Sequence, residues 1–146
     1  MLSGDQYIYY RLESADALVR NPLHEVRELD WHGDLAMIQR FYSHWTKDAI
    51  DPAENDETVG NPLAIVVEDK IVSFAVPVSF RDGDLEIGAV ATVHAWLNNG
   101  YCKALIAELA FRILKSGRAA TLTTRRENLP MQAAALAIGM RPVNNH

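Results

Sequence analysis

The chain has 146 residues, of which 49% are hydrophobic and 23% charged, an ordinary globular composition for which one domain, 1–146, is the simplest organisation. A net charge of −5 leaves no basic surplus to neutralise nucleic-acid phosphates, and a single cysteine excludes an internal disulfide and any cysteine-based zinc site. No apolar run nears the ~20 residues that span a bilayer, and the start MLSGDQYIYYRLES lacks the basic-then-apolar build of a signal peptide. A soluble cytoplasmic protein is therefore expected, with neither nucleic acid nor membrane as a partner.

Tyr7 to Leu12 (YIYYRL) is aromatic and β-prone and predicts a short strand. Ser14 to Asn21 reads as a helical turn closed by Pro22, and the alternation of His24 to Leu29 reads as a strand. Asp34 is a candidate N-cap for a helix whose buried stripe would be Leu35, Ile38, Tyr42 and Trp45. Lys47 to Gly60 carries five carboxylates (Asp48, Asp51, Glu54, Asp56, Glu57). They form either a solvated face or an acidic rim that attracts a cationic substrate.

Leu63 to Val67 predicts a core strand, Glu68-Asp69-Lys70 a tight turn, and Ile71 to Phe80 the returning strand, with Pro77 marking a bulge or an edge. Arg81-Asp82-Gly83-Asp84 is a second hairpin turn. Gly83 to Glu108 is the stretch around which the rest is organised. A buried strand, Leu85 to Val93, gives way at His94 to Asn99, and a helix starts after Gly100 with Leu105, Leu109 and Ile113 on one stripe and Ile106, Ala110 and Leu114 beside it. Such a strand–turn–helix corner points unpaired amides at one spot, where an anion is favoured. Gly117 ends that helix. Ala119 to Thr124 predicts a strand parallel to the earlier one, Asn128 a capped helix to Ile138, and Met140 to Val143 a last extended piece. A meander followed by strand–helix–strand–helix makes a mixed α/β sheet.

Three segments resemble the GCN5-related N-acetyltransferase (GNAT) family over roughly Val26 to Pro142. VATVHAWLNNGYCKAL is similar to the acetyl-CoA motif, a strand ending in an Arg/Gln-x-x-Gly-x-Gly/Ala loop. RRENLPMQAAALAIGMRP is similar to the second motif, an Asn-started helix ending in Gly-Phe-x-Pro. LAIVVEDKIVSFAVPVSFRDGDLEIG is similar to the hairpins before the cofactor strand. VRELDWHGDLAMIQRFYSHW further resembles the FR47-like and glycine N-acyltransferase branch.

The resemblance implies an α+β fold, with a mixed, mostly antiparallel sheet flanked by helices and the last hairpin short or missing. It also implies an acetyl-CoA cofactor and transfer of an acetyl group to a primary amine, on a small molecule or peptide, within a ternary complex. Asn98, Asn99, Gly100, Tyr101, Cys102 and Lys103 would present backbone amides to the cofactor's diphosphate, and Thr92, Val93 and His94 would pair with its pantetheine arm. Asn128 would reach the same arm, although its role as an N-cap explains it equally. Glu86 occupies a position similar to a general base of some members, or else faces solvent near the hairpin. On a regular strand its even spacing would put it on the face of Thr92.

Departures are visible as well. Leu97 stands in the place of Arg or Gln, Cys102 in the last Gly/Ala place, Met131 for Ser, Met140 for Phe, and Ala135 where a tyrosine acid is frequent. Cys102 reads as a packing residue, His94 as a proton relay or an ordinary loop residue, and Arg125 and Arg126 as phosphate partners or solvated charge. No metal cluster is expected. These departures keep two other readings in play. One is a CoA-binding domain without catalysis. The other is a structural module whose incomplete last hairpin leaves an edge for a second copy, a homodimer.

Overall fold

A computed structural model of the chain describes residues 6–20, 24–46, 60–79, 83–92 and 100–143, with the main chain alone at 42–46 and 89–92. Among these residues the strands are β1 (Tyr7–Leu12), β2 (Arg27–Glu28), β3 (Leu63–Val67), β4 (Lys70–Ser79), β5 (Leu85–Thr92), β6 (Ala120–Arg125) and β7 (Arg141–Val143). The helices are α1 (Leu35–Thr46), α2 (Tyr101–Lys115) and α3 (Leu129–Ala137). One sheet holds the strands in the order β2-β3-β4-β5-β6-β1-β7. Every neighbouring pair is antiparallel except β5 and β6.

The two faces are covered differently. Leu85, Ile87, Ala120, Leu122, Tyr10 and Leu12 point to one side and pack with Leu105, Leu109 and Ile113 of α2 and with Ala135, Ile138 and Met140 at α3. On the other side Ala64, Phe74 and Val76 pack against Ile38 and Phe41 of α1 and against Trp31. Beyond β4 that second face carries Glu86, Thr121, Thr123, Tyr9 and Arg11, the register partners of one another across β5, β6 and β1.

Each predicted element that falls on described residues is present, with local corrections. His24 to Leu29 yields only the two-residue β2, paired with Ala64 and Leu63. The turn after Ser14 is a 3-10 turn, Ala15–Ala17, capped by the Ser14 hydroxyl. Asp34 does not cap α1 with its side chain. Its carboxylate turns back to accept from Asp30 N at 2.9 Å and from Arg27 at 3.0 Å. The buried stripe of α1 runs through Ile38 and Phe41, with Leu35 half-buried, while the side chains of Tyr42 and Trp45 lie outside the described residues.

The β3–β4 turn places Glu68 and Asp69 at φ +51° and +63°, the left-handed pair a two-residue hairpin requires. Pro77 sits in a strand paired on both sides, yet past the end of β3, whose last described partner towards that end is Ala75. The one register partner of Pro77 among the described residues is Ile87 of β5.

The last hairpin is missing among the described residues, since β6 and β7 are not neighbours. β7 has three residues, and it pairs with β1, which itself pairs with β6 through all six of its residues. The N-terminal strand occupies the place beside β6. Between β1 and β2 the described residues lie against the end of α3 and against α2. Val19 N donates to Ile138 O at 2.8 Å, Arg20 lies 3.7 Å from the Phe111 ring centroid and pairs with Glu108 at 2.8 Å, and the His24 ring meets Tyr101 edge-on.

Candidate functional site

The site grows from the point where β5 and β6 part. Their parallel pairing is limited to Leu85↔Ala120 and Glu86↔Thr121, although β5 continues to Thr92 and β6 to Arg125. The cause lies in β5. Val76 faces Gly88 and Phe74 faces Ala91, so two residues, Ala89 and Val90, stand against Ala75 alone. A bulge of this kind bends its strand and increases its twist, which turns β5 away from β6 and opens a V between them. The same extra residue breaks the even-spacing expectation. Position 86 is opposed by Val78 and position 92 by Ser73, and those two β4 residues lie on opposite faces. Glu86 and Thr92 are thus out of phase.

Glu86 is half-buried at the foot of the V. Thr123 Oγ1 donates to Glu86 Oε1 at 2.5 Å, and Thr121 Oγ1 donates to the Leu85 carbonyl at 3.2 Å. Both threonines belong to the strand predicted as AATLTT, where Ala120-Thr121-Leu122-Thr123 alternates apolar and polar. That alternation is the signal that could have singled out Thr123. Beside them Arg11 pairs with Asp84, and also with Glu13 at 2.8 Å. Asp84 foremost, then Glu13, pushes the Arg11 guanidinium further above its usual value, so it is a fixed cation.

The second component is the corner before α2. Gly100 holds φ +76° as the residue preceding the helix, with no side-chain cap, and Ala104 N opens the helical ladder on Gly100 O at 3.1 Å. The amides of Tyr101, Cys102 and Lys103 therefore precede that ladder. Among the described residues a Cβ on Gly100 would meet only His24 Nε2, at 3.7 Å. Amides that precede the ladder, together with the positive end of the helix dipole, favour an anion at such a helix start. Val93, His94, Leu97, Asn98 and Asn99 lie outside the described residues, as do the acidic stretch Asp48 to Glu57 and the Arg81-Asp82 half of its turn.

Cys102 points inward, its Sγ 4.0 Å from Met131 Sδ, which joins the start of α2 to the start of α3. Burial pushes its thiol up to about 11, so it is protonated near neutral pH and is no nucleophile. Lys103 is exposed. Asn128 caps α3, its Oδ1 accepting from Met131 N at 3.2 Å. Ala135, where a tyrosine acid would fall, is fully buried against the core and leaves no room for a phenol. Arg125 is exposed, 3.5 Å from Glu127 and over the Tyr7 ring, and Arg126 N donates to Gln6 O at 3.0 Å. A cavity of about 500 Å3, lined by Arg20, His24, Val26, Ala104 and Glu108 among others, flanks the first turns of α2. No group of three potential metal ligands occurs among the described residues, and no helix there is long and apolar enough to cross a membrane.

No protein-family sequence model and no curated protein matches the sequence significantly. Solved structures do match. A GNAT-family protein from Novosphingobium aromaticivorans superposes with a TM-score of 0.75 at 11% identity, over 95% of this chain and 61% of that one. An acetyltransferase from the GNAT family of Colwellia psychrerythraea gives 0.74 at 13%, over 94% and 53%. A GCN5-related N-acetyltransferase from Sphaerobacter thermophilus gives 0.67 at 15%, over 94% and 49%. The chain thus spans about half to three-fifths of the length of these structures. With its mostly antiparallel sheet, its single parallel pair parting at a bulge and its glycine-led helix behind that opening, the chain has the fold of the GCN5-related N-acetyltransferases.

Proposed function

We propose that the chain is an acetyl-CoA-dependent N-acetyltransferase acting on a primary amine of a small molecule or peptide. The observation that carries the reading is the parting of β5 and β6 at a carboxylate, with an uncapped helix start at the head of the same strand. Acetyl-CoA supplies an activated acyl thioester when bound. The chain's own residues do the rest. The amides from Asn98 to Lys103 would hold the diphosphate, and the backbone of Thr92, at the end of β5, would hold the pantetheine arm together with Val93 and His94, which follow it in the chain. Asn128 keeps the start of α3 in place beside it.

Glu86 takes the proton that an ammonium must lose before it can attack. Its place on the face opposite α2 and α3 lets an amine approach from the side away from the cofactor's helices. Holding two reactants on opposite sides of one opening is the arrangement a direct transfer needs.

The test has two parts. Acetyl-CoA at ~100 times its dissociation constant should raise stability by about 2.7 kcal/mol, read as a rise in Tm. With a panel of amines the chain should release free thiol. Glu86→Gln should keep the Tm rise and lose about 10²- to 10⁴-fold in kcat, the usual contribution of a positioned base. An unmoved Tm at millimolar acetyl-CoA would sink the cofactor assignment, and an unimpaired Glu86→Gln would remove the base.

A further inference from the structure

We infer, on the acyltransferase reading of Glu86 on which this step rests, that Thr123 is a positioning residue holding that carboxylate for the acceptor amine. The ladder between β5 and β6 ends at Glu86↔Thr121. Thr123 lies two residues further along β6, on the same face, where β5 has already turned away. Its hydroxyl reaches back across the opening to Glu86 Oε1 at 2.5 Å.

A glutamate side chain has three torsions and, unanchored, samples several rotamers. An O–H donated to a carboxylate is among the stronger hydrogen bonds and selects one of them. It occupies one lone pair only, so Oε2 keeps its acceptor capacity for an amine N–H. The donor is itself well fixed. Threonine is stiff at χ1 in a strand, and β6 is clamped by β1, with Tyr9 directly opposite Thr123. Arg11, a cation on this face, is taken by Asp84 and Glu13. Thr121 differs from Thr123 in that its hydroxyl serves the backbone carbonyl of Leu85. Thr123 alone of the two spends its donor on an ionisable side chain at the foot of the V.

The test compares Thr123→Val, which keeps the shape and loses the donor, with Thr123→Ser, which keeps the donor. Thr123→Val should lower kcat for acetyl transfer about 10- to 100-fold, the scale of a misplaced catalytic group. The acetyl-CoA KM and the Tm rise with acetyl-CoA should stay at wild-type values, because the corner amides are untouched. Thr123→Ser should retain most of the kcat. In a Glu86→Gln background Thr123→Val should lower kcat no further, since the group it positions is gone. Thr123→Ala serves as the second donor-less variant should Thr123→Val not fold. Wild-type kcat in the donor-less variants, or equal losses in the Val and Ser variants, overturns the positioning role alone. Absence of transfer by the unaltered chain, with or without a Tm rise, overturns it together with the acyltransferase reading.

Discussion

Cys102 shows how one residue can leave a family's pattern without damaging the corner it belongs to. The resemblance puts a glycine or alanine there, where only the backbone amide is used. Cysteine is small enough to send its side chain inward onto Met131 and leave the amide side open. That inward burial has a measurable consequence. Its folded pKa of about 11 lies above the ordinary value of 9.0, so the stability it contributes is fully present below pH 9. That contribution is lost as the pH rises through 11. A disulfide-forming thiol reagent at pH 8 should therefore label the native chain slowly and the unfolded chain at once. Immediate stoichiometric labelling of the native chain would mean that the thiol faces the corner. The packing role was legible in the sequence, since Cys102 begins an apolar-faced helix. The Thr123–Glu86 contact was not read, because nothing local in AATLTT names the strand its threonines will meet.

At the scale of elements, what was legible follows the length of the period. α2 and α3 are legible with their ends because 15 and nine residues give several helical turns, and Gly100, Gly117, Asn128 and Gly139 punctuate them. A bulge in β5 is a possibility the sequence leaves open but does not locate, because past Glu86 the run IGAVAT is too uniformly small and apolar for a slip of one residue to leave a phase error in the pattern. Gly139 carries information of a different kind. It ends α3 at φ +108°, and a Cβ there would lie 2.1 Å from Ala17 O, where the connection from β1 crosses the helix end. Gly117 ends α2 at φ +86° with nothing within 4 Å. Gly117→Ala should thus cost only the backbone penalty of a left-handed residue, about 1–2 kcal/mol. Gly139→Ala adds displacement of the crossing segment and should cost clearly more, upwards of about 2 kcal/mol. Thermal melts of the two variants decide it, and equal losses would mean that the 14–20 crossing does not press on α3.

For the molecule as a whole, the central fact is where β1 goes. A six-residue aromatic strand announces itself by composition, but its neighbours are set by pairings with residues more than a hundred positions away, and no local period encodes them. The resemblance implies a last hairpin that is short or missing. The fold answers by seating β1 between β6 and β7, so the strand that faces Thr123 comes from the opposite end of the chain. Tyr10 and Leu12 are buried from that position, and Arg11 reaches over β6 to Asp84 at the start of β5. A strand ordered this way should open only with the sheet itself, since Tyr9, Tyr10 and Arg11 have partners on both sides while Tyr7, Ile8 and Leu12 have them on one. Amide hydrogen exchange reads this directly. Residues 9–11 should be protected to the same degree as β6, and residues 27–28 of β2, an edge of two pairs, should exchange far sooner. Were 9–11 to exchange as fast as β2, β1 would be a loosely held edge. The face carrying Glu86, Thr123 and Tyr9 would then lose the wall that keeps β6, and with it the carboxylate's partner, in place.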